Sequence, residues 1–145
     1  MKLNIYTFFI ALFILNSCSV EPKKIKYGED HCHYCDMTVV DKTHASEYVT
    51  KKGRAYTFDA IECLVNDLKE NKNEDMMAFI LVSDYSSPGK LIKATEATYL
   101  ISEKIKSPMG ANLSAFELKE TAVKHINKNE GTLYNWEQLK TKFSK

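Results

Sequence analysis

An apolar leader at the start of the chain is the feature that most constrains what this sequence can fold into. Lys2 gives a positive start, residues 3–15 are almost wholly apolar, and the small residues Asn16 and Ser17 then precede Cys18. A charged start, a short apolar run and small residues are typical of a secretory signal peptide. The run is shorter than the roughly 20 apolar residues that a transmembrane helix needs. We therefore predict a signal peptide over residues 1–17 and a fold built from the remaining chain.

The segment Leu15-Asn16-Ser17-Cys18 resembles the lipobox of bacterial lipoproteins, in which the cysteine becomes the lipidated first residue. The resemblance implies that Cys18 carries the lipid. We expect residues 18–27 to form a tether and residues 28–145 to form the domain. An uncleaved membrane anchor is the alternative. In both cases we expect the domain to lie in the cell envelope, beside a membrane and facing the periplasm.

Charge and cysteine count narrow the class of protein. The formal net charge is +1, so no strong field would attract nucleic acid or anionic lipid. The length fits one small domain. With Cys18 committed to lipid, Cys32, Cys35 and Cys63 remain. An odd number of cysteines in an oxidising compartment indicates a reactive or metal-binding thiol.

The hydrophobic pattern predicts an α+β fold. A helix is expected over residues 58–71, because apolar residues recur there with helical spacing at Ile61, Leu64, Val65 and Leu68. Asp59 and Glu62 predict a capping box at its start. Extended segments are expected at 37–40, 45–52, 76–82, 91–102 and 116–127, loops at 86–89 and 107–110, and a last helix at 136–143 capped by Asn135.

A faint internal repeat suggests two related units. Four positions recur at an offset of 78 residues: Gly53, Tyr56, Phe58 and Asp59 match Gly131, Tyr134, Trp136 and Glu137. The repeat predicts two small strand-strand-helix units, at about 28–85 and 86–145, that form one compact domain.

The sequence His31-Cys32-His33-Tyr34-Cys35-Asp36-Met37 is the strongest chemical motif. Two thiols at i and i+3 can point at one ion where the chain turns, and Met37 shares a side with Cys35 in an extended chain. Thiolate and thioether sulfur are soft ligands that select Cu(I) over hard cations. The motif therefore favours a Cu(I) site, to which His31 or His33 could add an imidazole.

Other interpretations of these residues stay open. Cys32 and Cys35 could form a disulfide, half of a zinc site completed by Cys63 or His44, or a thioredoxin-like redox pair. The redox pair is disfavoured because it belongs at a helix N-terminus, whereas this motif leads into a strand pattern. Met109, in a Pro-Met-Gly loop, is a second candidate thioether or a side chain folded onto the core.

The remaining candidates have ordinary structural interpretations. Cys63 lies beside the apolar face of the predicted helix, where buried free cysteine is common. Core packing is expected for at least one of Met76 and Met77. His44 and His125 are isolated, and we expect them to be surface or strand residues.

The chain resembles the NosL family of accessory lipoproteins of nitrous oxide reductase. The resemblance rests on Cys32-His33-Tyr34-Cys35-Asp36-Met37 and on the later segment from Met109 to Phe116, with Ala94-Thr95-Glu96-Ala97-Thr98-Tyr99 between them. It implies an α+β fold similar to that of organomercurial lyase. It also implies Cu(I) bound by sulfur, and service to nitrous oxide reductase together with an ABC-type transporter complex.

The resemblance assigns the metal site to the four matching positions: Cys32, Cys35, Met37 and Met109. This sequence departs from the family at Asp36, where members often have glycine, and at Cys63, which the family pattern does not include. We therefore predict a copper chaperone without catalytic activity. An exported thiol-disulfide oxidoreductase using Cys32 and Cys35, or a chaperone for another copper enzyme, is the alternative.

Overall fold

The computed structural model describes residues 19–143. Within this range the strands are β1 (Ser46–Thr50), β2 (Ala55–Phe58), β3 (Met77–Ser83), β4 (Leu91–Lys93), β5 (Thr98–Ile101), β6 (Leu113–Phe116) and β7 (Thr132–Tyr134). The helices are α1 (Ile61–Asn71), α2 (Lys119–Asn129) and α3 (Trp136–Lys142), with a short 3₁₀ helix at Glu74–Met76. The predicted signal peptide and Cys18 lie outside the described residues.

Two antiparallel sheets organise the fold, in the orders β2-β1-β3-β4 and β6-β5-β7. Both sheets are formed by the same order of elements along the chain, strand-strand-helix-strand. In each unit the first strand lies between the other two. Strand β1 pairs with β2 and β3, and β5 pairs with β6 and β7. The predicted α+β fold of two related units is confirmed. Each unit has a strand after its helix that the repeat did not suggest, β3 in the first and β7 in the second, and β4 extends the first sheet further.

The repeat seen in the sequence aligns strands that are not equivalent. The offset of 78 residues matches Tyr56 with Tyr134, yet these residues lie in β2 and β7. By topology, β2 corresponds to β6. Phe58 and Phe116 each end the second strand of their unit, both are fully buried, and a helix begins three residues later in each case.

One hydrophobic core joins the two units. Tyr48 and Phe58 from the first unit share a buried cluster with Tyr99 and Leu113 from the second, closed by Trp136 of α3. The predicted apolar face of α1 is confirmed, since its members are all buried in this cluster: Ile61, Leu64, Val65 and Leu68. Apolar burial across both units explains why they form one compact body.

The predicted capping box of α1 is absent. The N-cap is Ala60, and no side chain caps the helix. Asp59 and Glu62 instead make contacts outside the helix, with Cys35 and Ser107. The first turn of α1 therefore has no side-chain cap and keeps the partial positive charge of a helix N-terminus.

A group of polar side chains links the units, and we call it the histidine cluster: His44 and Ser114, which are buried, with Asp41 and Thr43, which are half-buried. His44 Nδ1 lies 2.7 Å from Asp41 Oδ2, and His44 Nε2 lies 3.1 Å from Ser114 Oγ. The expectation that His44 is a surface or strand residue is wrong, because its side chain is buried before β1 and bonds across to β6.

Three predicted extended segments differ in the structure. The segment 91–102 splits into β4 and β5, which belong to different sheets, because a turn at 94–97 intervenes. The segment 116–127 is mostly helix α2, which buries Ala122 and also carries His125. At 37–40 the chain forms only an isolated bridge, between Thr38 and His31.

Two smaller predictions are confirmed. The last helix begins at Trp136, where Asn135 accepts the Gln138 amide N–H and the Gln138 side chain accepts the Asn135 N–H. Met77 begins β3 and packs against the core, while Met76 is exposed.

The segment before the motif also contacts the domain. The Lys23 amide N–H donates to Glu47 at 2.9 Å, and Ile25 is buried in the core. Within residues 19–143, no helix has the length and apolar character needed to cross a membrane.

Candidate metal centre

The cysteine motif folds as a tight turn. The Cys32 amide N–H donates to the Met37 carbonyl oxygen at 2.8 Å, and the Asp36 N–H donates to the Cys32 carbonyl at 2.9 Å. Asp36 adopts a left-handed backbone conformation, with φ of 63°. The turn brings Cys32 and Cys35 to one side of the loop.

Strand β2 fixes the position of this turn. The His33 amide N–H donates to the Thr57 carbonyl at 2.8 Å, and the Thr57 hydroxyl donates to the His31 carbonyl at 3.1 Å. The His33 ring also packs on Tyr56, with centroids 4.3 Å apart. Since Asp59 directly follows β2, these contacts set the two cysteines beside Asp59 and the start of α1.

Four side chains converge there, and we call them the sulfur cluster: Cys32, Cys35, Asp59 and Cys63. Their ligand atoms all lie within 4.8 Å of one another. The Cys35 thiol donates to Asp59 Oδ1 at 3.5 Å. Cys32, Asp59 and Cys63 are almost fully buried, and all three cysteines are free thiols.

The three thiols of the cluster differ in pKa. A hydrogen bond from Cys63 lowers the pKa of Cys32 to about 6. The same bond, together with burial, raises the pKa of Cys63. Burial raises the pKa of Cys35 to about 11. At neutral pH, Cys32 is therefore the thiolate of the cluster, and Cys35 and Cys63 hold protons that a metal ion would have to displace.

The Met109 loop reaches the same end of α1. Glu62 Oε1 accepts the Ser107 hydroxyl at 2.6 Å and the Ala111 amide N–H at 3.2 Å. Because Glu62 precedes Cys63 in the helix, these bonds hold the Met109 turn next to the residue that contributes a thiol. The two loops that the sequence singled out therefore each bond to a residue at the start of α1: Cys35 to Asp59, and Ser107 to Glu62.

The sequence of this domain matches one known family over nearly its whole length. Residues 22–144 fit the NosL family. The chain belongs to the NosL family. A relative in Stutzerimonas stutzeri, a copper-binding lipoprotein NosL, is 25% identical over 128 residues, which cover 83% of this chain and 67% of the relative.

A solved structure has the same fold. The crystal structure of the copper chaperone NosL from Shewanella denitrificans superposes with a TM-score of 0.72. The alignment covers 83% of this chain and 96% of the other, at 21% sequence identity. This similarity establishes that the two-sheet arrangement is the NosL fold.

The predicted thioethers lie at the surface of this NosL domain. Met37 is 51% exposed and Met109 is 42% exposed. An open cavity of about 490 Å³ lies beside the motif and is lined in part by Cys32, His33 and Tyr56. The structure thus buries Cys32 and Cys63, half-buries Cys35, and places the two methionine side chains in contact with solvent.

The two motif histidines lie outside the sulfur cluster. His31 is exposed, and its Nδ1 lies 3.1 Å from the Asp36 carbonyl oxygen. His33 is exposed, and its ring packs on the ring of Tyr56. Asp36 has a positive φ, a backbone region that glycine adopts without strain. Its carboxylate side chain is 99% exposed.

Sequence reasoning missed Asp59 and Glu62 as parts of the site, and it expected Cys63 either in the core or as a ligand completing a zinc site. Cys63 is buried, and its sulfur lies within 4.8 Å of the sulfur of Cys32. Two signals were available in the sequence. The odd cysteine count left one thiol without a role, and Asp59 and Glu62 formed a capping-box pattern that the helix does not use.

Proposed function

We propose that this NosL-family protein is a lipid-anchored metallochaperone that binds Cu(I) and delivers it for assembly of the copper centre of nitrous oxide reductase. The observation that supports the proposal most is the convergence of three free thiols within 4.8 Å. Soft sulfur donors select Cu(I) among the ions of the cell envelope. The copper-binding names of the two NosL relatives point in the same direction.

In this proposal Cys32 and Cys35 are the thiolate ligands, and Met37 and Met109 are the thioethers. Cys32 is buried, whereas both methionines are about half exposed. The buried thiolate holds the ion, and a ligand of the partner protein displaces a thioether from the exposed side. Transfer by ligand exchange changes no oxidation state, so the protein acts without catalysis.

The membrane anchor favours membrane-bound partners. A lipid on Cys18 would lie only a few residues from Lys23, whose amide N–H bonds to Glu47 in the domain. The predicted tether then contributes little free length, and the copper site stays close to the bilayer. Confinement raises its effective concentration at a membrane partner such as an ABC-type transporter complex.

A competition titration tests copper binding. The reduced full chain in detergent is titrated with Cu(I) against a colorimetric chelator, beside Met37→Ala and Met109→Ala. Met76→Ala is the matched control, because Met76 is equally exposed at 57% and lies outside both loops. We expect one tight equivalent, weakened on the order of tenfold in the first two variants and unchanged in the control.

The thiol-disulfide oxidoreductase is the second candidate, and the lowered pKa of Cys32, about 6, favours it. A redox enzyme would need the thiols and would be indifferent to both methionines. Absence of tight Cu(I), with disulfide exchange that both methionine variants retain, would support the oxidoreductase. Copper transfer to the apo form of nitrous oxide reductase, compared with another apo copper enzyme, tests the client.

A further inference from the structure

The sulfur cluster contains one thiol beyond the pair that matches the NosL motif. We propose that Cys63 is a third thiolate ligand, so that Cu(I) occupies an inner position among Cys32, Cys35 and Cys63. This inference rests on the proposed function, since it concerns the same ion. It gives this chain a three-thiolate site in place of a two-thiolate site, and since Cu(I) takes at most four ligands, at most one thioether, from Met37 or Met109, completes it.

The placement of Cys63 supports this role. It is the third residue of α1 and only 1% exposed, so the helix fixes where its thiol points. A cysteine that served packing alone would face apolar side chains. The Cys63 sulfur instead lies within 4.8 Å of the sulfur atoms of Cys32 and Cys35 and of an Asp59 oxygen. A ligand on a helix is also held more rigidly than ligands on loops, which favours a defined coordination geometry.

Asp59 provides the second, independent observation. Its side chain is 2% exposed, and its Oδ2 atom is buried without any hydrogen-bond partner among the described residues. A buried polar atom without a partner requires an explanation, and a bound cation nearby is one. The other oxygen of Asp59 accepts the Cys35 thiol, so the carboxylate lies directly against the sulfur atoms.

The negative charge of a three-thiolate site has to be offset by its surroundings. Three thiolates around one Cu(I) carry a net charge of −2, which burial disfavours. The start of α1, which no side chain caps, offsets part of this charge through the partial positive charge of a helix N-terminus. Asp59 lies against the sulfur atoms and needs no direct bond to the ion.

Counting the sulfur ligands of bound copper tests the proposal. The full chain is produced with selenomethionine, so that a thioether ligand appears as selenium and a thiolate as sulfur. Copper X-ray absorption on the reduced, Cu(I)-loaded protein should show three sulfur neighbours in the parent. Two sulfur neighbours in the parent would overturn the proposal, whatever the variants do.

The Cys63→Ser variant gives a second readout. It should have two sulfur neighbours and bind Cu(I) on the order of tenfold more weakly. Ile61→Val is the matched control, since Ile61 is buried in the same helical turn and offers no ligand atom. An unchanged sulfur count in Cys63→Ser would assign Cys63 to packing while leaving the chaperone intact. A parent without tight copper would refute the chaperone itself.

Discussion

The histidine cluster and the sulfur cluster are both buried, yet they differ in whether their polar atoms have partners. In the histidine cluster both nitrogens of His44 are bonded, to Asp41 and Ser114. In the sulfur cluster Asp59 Oδ2 has no partner among the described residues. Satisfied buried groups fix a structure, whereas an unsatisfied group has capacity for a ligand. The comparison assigns cohesion of the two units to the first cluster and makes the second the place for the proposed metal site.

Removing the thiols should have the largest effect. Replacing Cys32 and Cys35 together with serine should weaken Cu(I) binding at least about a hundredfold, because hydroxyl oxygen is a poor ligand for a soft ion. Chelator competition measures the change. Ser114→Ala, which alters only the histidine cluster, should bind copper as the parent does. Equal loss in both variants would erase the distinction between the clusters.

Removing His44 should lower the stability of the fold and leave Cu(I) binding unchanged. His44→Ala should lower the free energy of unfolding by about 3 kcal/mol, because it leaves Asp41 and Ser114 without their partner and opens a cavity. Urea unfolding measures the loss. His31→Ala is the matched exposed control and should change stability by less than about 0.5 kcal/mol. A stable His44→Ala variant would show that the units hold together without this cluster.

A backbone effect on stability should appear at the tight turn of the cysteine motif. Asp36→Ala should cost about 1 kcal/mol of stability, since alanine tolerates the left-handed conformation poorly, and Asp36→Gly should not. Both variants should keep the parent affinity for Cu(I), because the carboxylate is exposed to solvent. Thermal unfolding and chelator competition check the two halves of this prediction. Copper loss in Asp36→Gly would make Asp36 a ligand.

The smallest effect concerns pH. Burial raises the pKa of Asp41, but hydrogen bonds from Thr43 and His44 outweigh it, and the net pKa is lowered. The ionised carboxylate therefore stabilises the fold fully above its unfolded pKa of about 3.9, and this contribution is lost as pH falls through the lower folded value. Asp41→Asn should be less stable than the parent near pH 6, and the gap should shrink in acid. A difference in stability between the two proteins that grows in acid would contradict this prediction.

Local patterns predicted a good part of the fold. Helical spacing located α1 through Ile61 and Leu68, and Asn135 marked the start of α3. Helix α2 was missed because Thr121, Val123 and Ile126 favour strands, and packing of Ala122 onto the core overrides that preference. Short strands such as β2 leave too few residues for alternation to be visible.

Only the part of the site formed by residues close together in the sequence could be predicted. Spacing alone predicted that the thiols of Cys32 and Cys35 lie together, since four residues of chain decide whether two thiols can meet, while Met37 as a ligand stays a prediction. Asp59 and Cys63 reach the same place only because β2 carries the motif turn on one side and leads into α1 on the other. That juxtaposition depends on tertiary packing, which no local pattern encodes.

The central claim is that copper binds at the sulfur cluster, and locating the ion tests it most directly. Crystals of the reduced, Cu(I)-loaded protein should be measured on both sides of the copper absorption edge. We predict a single anomalous peak among Cys32, Cys35 and Cys63. A peak at the surface histidines His31 and His33, or at the histidine cluster, with none at the thiols, would contradict the claim.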